Sequence, residues 1–126
     1  EGLYHSFPGN HAIAMQYANA LVATGEPLQA ETASVVLRQQ ILLRGGDPDL
    51  FELYARSANL AGDEVRAQEA IAESYYQRGG LPQALGQLER LVKRPDLDYY
   101  QRARVSARLT EIRIEMSELE AQQRRS

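Results

Sequence analysis

Apolar residues recur at steps of three and four along nearly the whole chain, interrupted at points rich in glycine and proline. Ile13, Tyr17, Ala18 and Leu21 stripe a helix over 11–24, which Asn10 caps and Gly25 ends. Ala30, Ala33, Leu37 and Ile41 stripe a second, opened by Pro27 and running to about Leu43 before Gly45-Gly46. Asp47-Pro48-Asp49 is a start signal: a capping side chain, a proline, then an acid near the positive helix end. Phe51, Tyr54, Ala55 and Ala58 follow at helical spacing. Gly62-Asp63 turns the chain into a helix from Glu64 that carries Ala67, Ala70, Ile71, Ala72, Ser74 and Tyr75 towards Gly79. Ala84, Leu88 and Leu91 stripe the next helix, and Pro95 stops it. Asp98-Tyr99-Tyr100-Gln101 reads as a capping box with Asp in place of Ser or Thr. The last helix is expected from about Tyr99 to near Gln123, with Val105, Leu109, Ile112, Met116 and Leu119 as a narrow seam and a frayed tail from Gln122.

The stretch from Val65 to Asp98 sets the architecture. Ala72 and Ala84 are small where two helices must approach closely, and Gly79-Gly80 supplies the tight turn. This helix–turn–helix pattern resembles a tetratricopeptide repeat, a unit of about 34 residues. Gly62 and Gly79 stand about half a repeat apart. The helix from Glu64 therefore serves twice, as the second of the Phe51 pair and the first of the Gly79 pair. The expected fold class is all-α: a tetratricopeptide-repeat α-solenoid of antiparallel helix pairs with a long C-terminal capping helix. Residues 1–10 read as a junction from a preceding repeat, with Leu3, Tyr4 and Phe7 as the remnant of an earlier helix. Residues 11–97 read as repeats, and 98–126 as the capping helix. A self-associating coiled coil is the rival for that last helix, and the seam is short for one.

Composition narrows the function classes. Helix formers dominate and Trp is absent. The net charge of −3 is spread over mixed signs, so there is no basic field for nucleic acid. Without cysteine there are neither disulfides nor thiolate metal sites. No apolar run reaches the roughly 18 residues of a membrane span. The chain opens on Glu1 rather than Met and reads as a segment of something longer, so a missing signal peptide says nothing about location.

Candidate chemistry is sparse. His5 and His11, the only histidines, form no metal-ligand pattern and are expected to face solvent. Gly45-Gly46 and Gly79-Gly80 end helices and do not cradle phosphates. Carboxylates are explained by solvated helix faces, so no catalytic residue, metal ligand or cofactor is expected in this segment. What remains is a surface. In a repeat stack the first helix of each pair lines the concave side, where its non-packing positions read a partner. By spacing these are Met15, Gln16, Asn19 and Val22; Glu52, Arg56, Asn59 and Leu60; and Glu69, Glu73, Tyr76 and Gln77. Asn and Gln pair with the backbone of an extended peptide, and Tyr76 offers a flat apolar contact.

Four segments carry a narrower likeness: Gly-Asp-Pro-Asp-Leu-Phe-Glu-Leu-Tyr-Ala-Arg (46–56), Ala-Glu-Ser-Tyr-Tyr-Gln-Arg-Gly (72–79), Leu-Pro-Gln-Ala-Leu-Gly-Gln-Leu (81–88) and Tyr-Gln-Arg-Ala-Arg-Val-Ser-Ala-Arg-Leu (100–109). Together they resemble the C-terminal repeat region of the periplasmic zinc metalloproteases that assist outer-membrane β-barrel assembly, the BepA/YfgC-like proteins. The likeness runs from about Pro8 to Arg113. It implies a periplasmic location and a role in outer-membrane protein assembly and quality control. The implied partners are outer-membrane β-barrel proteins, their assembly machinery and the parent's own protease domain. Zinc is implied only for that other domain, none of whose ligands is present here. This segment would then be a recognition domain without enzymatic activity. The alternative is a stand-alone repeat scaffold or co-chaperone with no enzyme attached.

Overall fold

The computed structural model describes residues 10–125, which form six α-helices and no strand. They are α1 (His11–Ala23), α2 (Pro27–Arg44), α3 (Pro48–Leu60), α4 (Glu64–Gln77), α5 (Leu81–Val92) and α6 (Tyr99–Arg125). Each packs on the next, and the short turns between them make neighbours antiparallel; α1 also touches α3 directly.

Local chemistry sets the ends. The side chains of Asn10, Asp47 and Asp63 each accept a first-turn backbone N–H, from Ile13, Asp49 and Arg66 respectively. Proline occupies the first turn of α2, α3 and α5. The capping box of α6 is reciprocal: Gln101 N–H donates to Asp98 Oδ1 at 2.7 Å, and Asp98 N–H donates to Gln101 Oε1 at 2.9 Å. At the end of α4, Gly79 turns left-handed with φ +85°. Gly80 N–H reaches back to the Tyr75 carbonyl at 2.8 Å while Gly79 N–H bonds that of Tyr76 at 3.0 Å, a Schellman closure.

Two apolar clusters fill the interior. The first joins α1–α4 through Ala14, Ala18, Val36, Leu37, Leu50, Leu53, Tyr54 and Ala70. The second joins α4–α6 through Val65, Ala72, Ala84, Leu88, Leu91, Val105, Leu109 and Ile112, with Leu97 from the connecting turn. Helix α4 contributes to both, through Ala70 to the first and Val65 and Ala72 to the second.

Several expectations need correction. The buried stripe of α1 is Ala14, Ala18 and Val22, while Ile13, Tyr17 and Leu21 are half-buried. Close helix approach selects the small residues for the contact line. Tyr75 points outward and is 40% exposed, because Ala72 and Tyr76 take the positions facing the second cluster. The seam of α6 is buried only through Ile112; Leu119 is 43% exposed, since the other helices do not reach that far along it. Helix α6 continues to Arg125 without fraying at Gln122. His11 is half-buried, with Nδ1 2.8 Å from Oε1 of the buried Gln40. The expectations for Leu3, Tyr4, His5 and Phe7 lie outside the described residues.

Candidate functional site: a groove between alternate helices

Helices α4 and α6, separated in the chain by α5, meet through long side chains. Glu69 and Glu73 stand four apart on α4, and Arg104 and Arg108 stand four apart on α6. Both spacings put the pair on one helix face. The faces meet: Arg104 Nε donates to both Glu69 oxygens at 2.6 and 3.1 Å, and Arg108 donates through Nε and Nη2 to the two Glu73 oxygens at 2.6 and 2.9 Å. Both pairs are 35 residues apart, so α4 and α6 run in the same direction. The Arg108 guanidinium also lies 4.5 Å above the Tyr76 ring centre, and the Tyr76 hydroxyl donates to Glu115 at 2.6 Å.

These long bridges cross from α4 to α6 beside a groove of about 530 Å³. Phe51, Tyr54, Ala70 and Leu88 lie within it, Ile41 and Leu42 of α2 line it on one side, and Ala107 of α6 lines it on the other. Leu42 is 86% exposed. Charged side chains rim this apolar interior: Arg38, Arg66, Glu69, Glu73, Arg104, Arg108 and Glu111. A second cavity of about 580 Å³, more polar and lined by Glu31, Asp63, Glu64, Arg94 and Asp96, adjoins the groove at Arg38, Tyr54 and Arg66, which line both.

The residues singled out by spacing divide between two places. Glu73 lines the groove, as does Glu69, and Tyr76 sits beside it under Arg108. Met15, Gln16, Asn19, Glu52, Arg56 and Asn59 do not line it. Gln16, Asn19, Glu52, Arg56 and Asn59 are exposed on the neighbouring helices α1 and α3, and Met15 packs against the first cluster. Asn19 bonds its own helix at the Met15 carbonyl, and Glu52 pairs with Arg78 at the end of α4. Groove residues missed by spacing include Arg38, Ile41 and Leu42 of α2, Arg66, and the α6 arginines. The matched four-residue steps of Glu69/Glu73 and Arg104/Arg108 are a sequence signal that would have found the last.

The Tyr76 phenol is pushed above the usual tyrosine range, first by its hydrogen bond to Glu115, then by burial and that carboxylate's charge; Arg108 opposes the rise. The fold thus favours the protonated phenol. Its contribution to stability is complete below the ordinary tyrosine pKa near 10 and is lost as pH rises through the raised value. Ultraviolet titration of tyrosinate should show a late-ionising phenol that Tyr76→Phe removes and Glu115→Gln brings down. An unchanged curve in both variants would contradict the assignment.

No protein-family model matches the sequence, and no curated protein shows significant similarity to it.

Proposed function

We propose that this chain is a protein-interaction module, a tetratricopeptide-repeat-like α-solenoid whose groove holds a segment of a partner protein. The groove carries this reading: an apolar interior open to solvent, with a rim of fixed opposite charges, suits an extended or helical segment with apolar anchors. The 35-residue offset between α4 and α6 supports the repeat reading, since it is close to one repeat length. We further propose, on the resemblance alone, that the module is the recognition arm of a periplasmic zinc metalloprotease acting on outer-membrane β-barrel proteins and their assembly machinery.

Two measurements on the full-length polypeptide test this. Photo-crosslinkers at Leu42 and Ala107 should capture a β-barrel protein or assembly component, while one at Arg56 should not. Capture from Arg56 or Gln16 alone would move the partner to the α1–α3 face. A His-Glu-x-x-His helix upstream and about one zinc per chain fit the protease reading. Further repeats and no metal would leave a stand-alone scaffold or co-chaperone.

A further inference from the structure

Helix α6 carries two heptad lines on opposite sides. The inward one, Val105, Leu109 and Ile112, is taken up by the second apolar cluster, so a coiled coil along that seam has no free face there. On the opposite side Ala103, Ala107, Thr110, Ile114, Ser117 and Ala121 recur in steps of four and three. The first five are exposed, Ile114 54%, and Tyr100, one turn earlier on the same side, is 77% exposed. None of these is charged, whereas a helix that only closed a stack would turn a polar face to water. Charge lies along the two edges of this face. Arg113 and Glu120 border one edge; Arg104, Glu111, Glu118 and Arg125 border the other. Among the described residues Glu118, Glu120 and Arg125 are in no ion pair, while Arg104 is held by Glu69 and Arg113 shares a half-exposed pair with Glu89.

We propose that this outer face of α6 is the interface of a parallel, in-register homodimer, with Ile114 packed on Ile114 of a second copy. Charge complementarity selects the occupant and its direction. In that register each residue of one edge meets the residue five further on along the other helix's second edge. Arg113 then faces the second copy's Glu118 and Glu120 faces its Arg125, and the two-fold axis makes each pair twice. Glu111 meets the neutral Ser106; only Arg124 meets its own counterpart, in the last turn, where solvent screens it. Reversing one helix about the Thr110–Ile114 layer sets Glu111 against Glu111 and Arg113 against Arg113. The rest of each copy stays clear, because α5 and the second cluster lie on the opposite side of α6. The inference does not depend on the partner groove, which Ala107 and Glu111 border from α6. A contact of two helices is smaller than a standard interface, so a micromolar dimer is expected.

The chain has no cysteine, so single introduced cysteines report which residues face each other. Ala103→Cys and Ser117→Cys, each alone, should form disulfide-linked dimers under mild oxidation. A mixture of the two should give no cross-link between unlike chains, since the positions stand about 21 Å apart along the helix. Sedimentation equilibrium up to millimolar chain should show a dimer that Ile114→Glu abolishes. Glu120→Arg should weaken it about tenfold, and adding Arg125→Glu should restore it. Leu119→Glu, on the inward side, should leave it unchanged. These four positions are exposed, and circular dichroism checks that each variant stays helical. A monomer over the whole range would overturn the proposal. So would cross-linking only between unlike chains, which means an antiparallel pair, or dissociation by Leu119→Glu but not by Ile114→Glu, which means the other seam.

Discussion

Leu88→Ala is expected to lower the unfolding free energy by about 3 kcal/mol, with a fall in melting temperature of roughly 10 °C. Leu88 is 1% exposed and sits on α5 between α4 and α6, in the second apolar cluster and beneath the groove. Truncation removes several methyl-scale groups, and the ring of Ala84, Leu91, Val105 and Leu109 around it closes only partly over the space. The effect should be local as well as large. Leu88 belongs to the cluster of α4–α6, whereas Leu37 and Leu50 hold that of α1–α4. Native-state hydrogen exchange should therefore show α5 and α6 amides losing protection while α2 amides keep most of theirs. A loss below 1 kcal/mol, or equal deprotection throughout, would show that the two clusters behave as one.

Charge reversal at Glu73 is expected to cost about 2 to 3 kcal/mol, and reversal of both Glu73 and Arg108 to recover most of it. The Glu73–Arg108 pair is forked, with side chains only 21% and 29% exposed, so solvent screens it less than the Arg113–Glu89 pair at 55% and 44%. Glu73→Arg removes two charge-assisted hydrogen bonds and sets two guanidinium groups face to face. Adding Arg108→Glu restores the opposite charges across the same gap. Recovery should fall short by about 1 kcal/mol, because a carboxylate cannot replace the guanidinium above Tyr76. A urea denaturation cycle measures all four proteins; additive single effects would mean that the pair is not coupled.

The parts legible in the sequence were those decided within one turn of chain. Asn10, Asp47, Asp63 and the Asp98–Gln101 box announce their helices, because a cap and its N–H lie two or three residues apart. Gly79 announces its turn for the same reason. Face assignment failed where it depends on a neighbour. In α1 two adjacent faces are both apolar; spacing favours Ile13, Tyr17, Ala18 and Leu21, but of these only Ala18 lies in the buried line, which Ala14 and Val22 complete. His11 finds Gln40 29 residues away, a distance that no local pattern spans. The groove was hidden for a related reason. Which flank of a helix stack opens depends on how far apart alternate helices stand, and no local pattern records that separation for α4 and α6.

The position of α4 in both clusters limits how the molecule can be divided. A fragment starting at Glu64 retains Val65, Ala72 and every other member of the second cluster. One stopping at Leu60 loses Ala70, and the face of Leu53, Tyr54 and Ala55 is left without its cover. Excision is therefore directional: the C-terminal half has a complete set of walls when cut at Gly62-Asp63, and the N-terminal half does not. Any shortening of the molecule that respects packing therefore has to keep α4 with whichever cluster is retained.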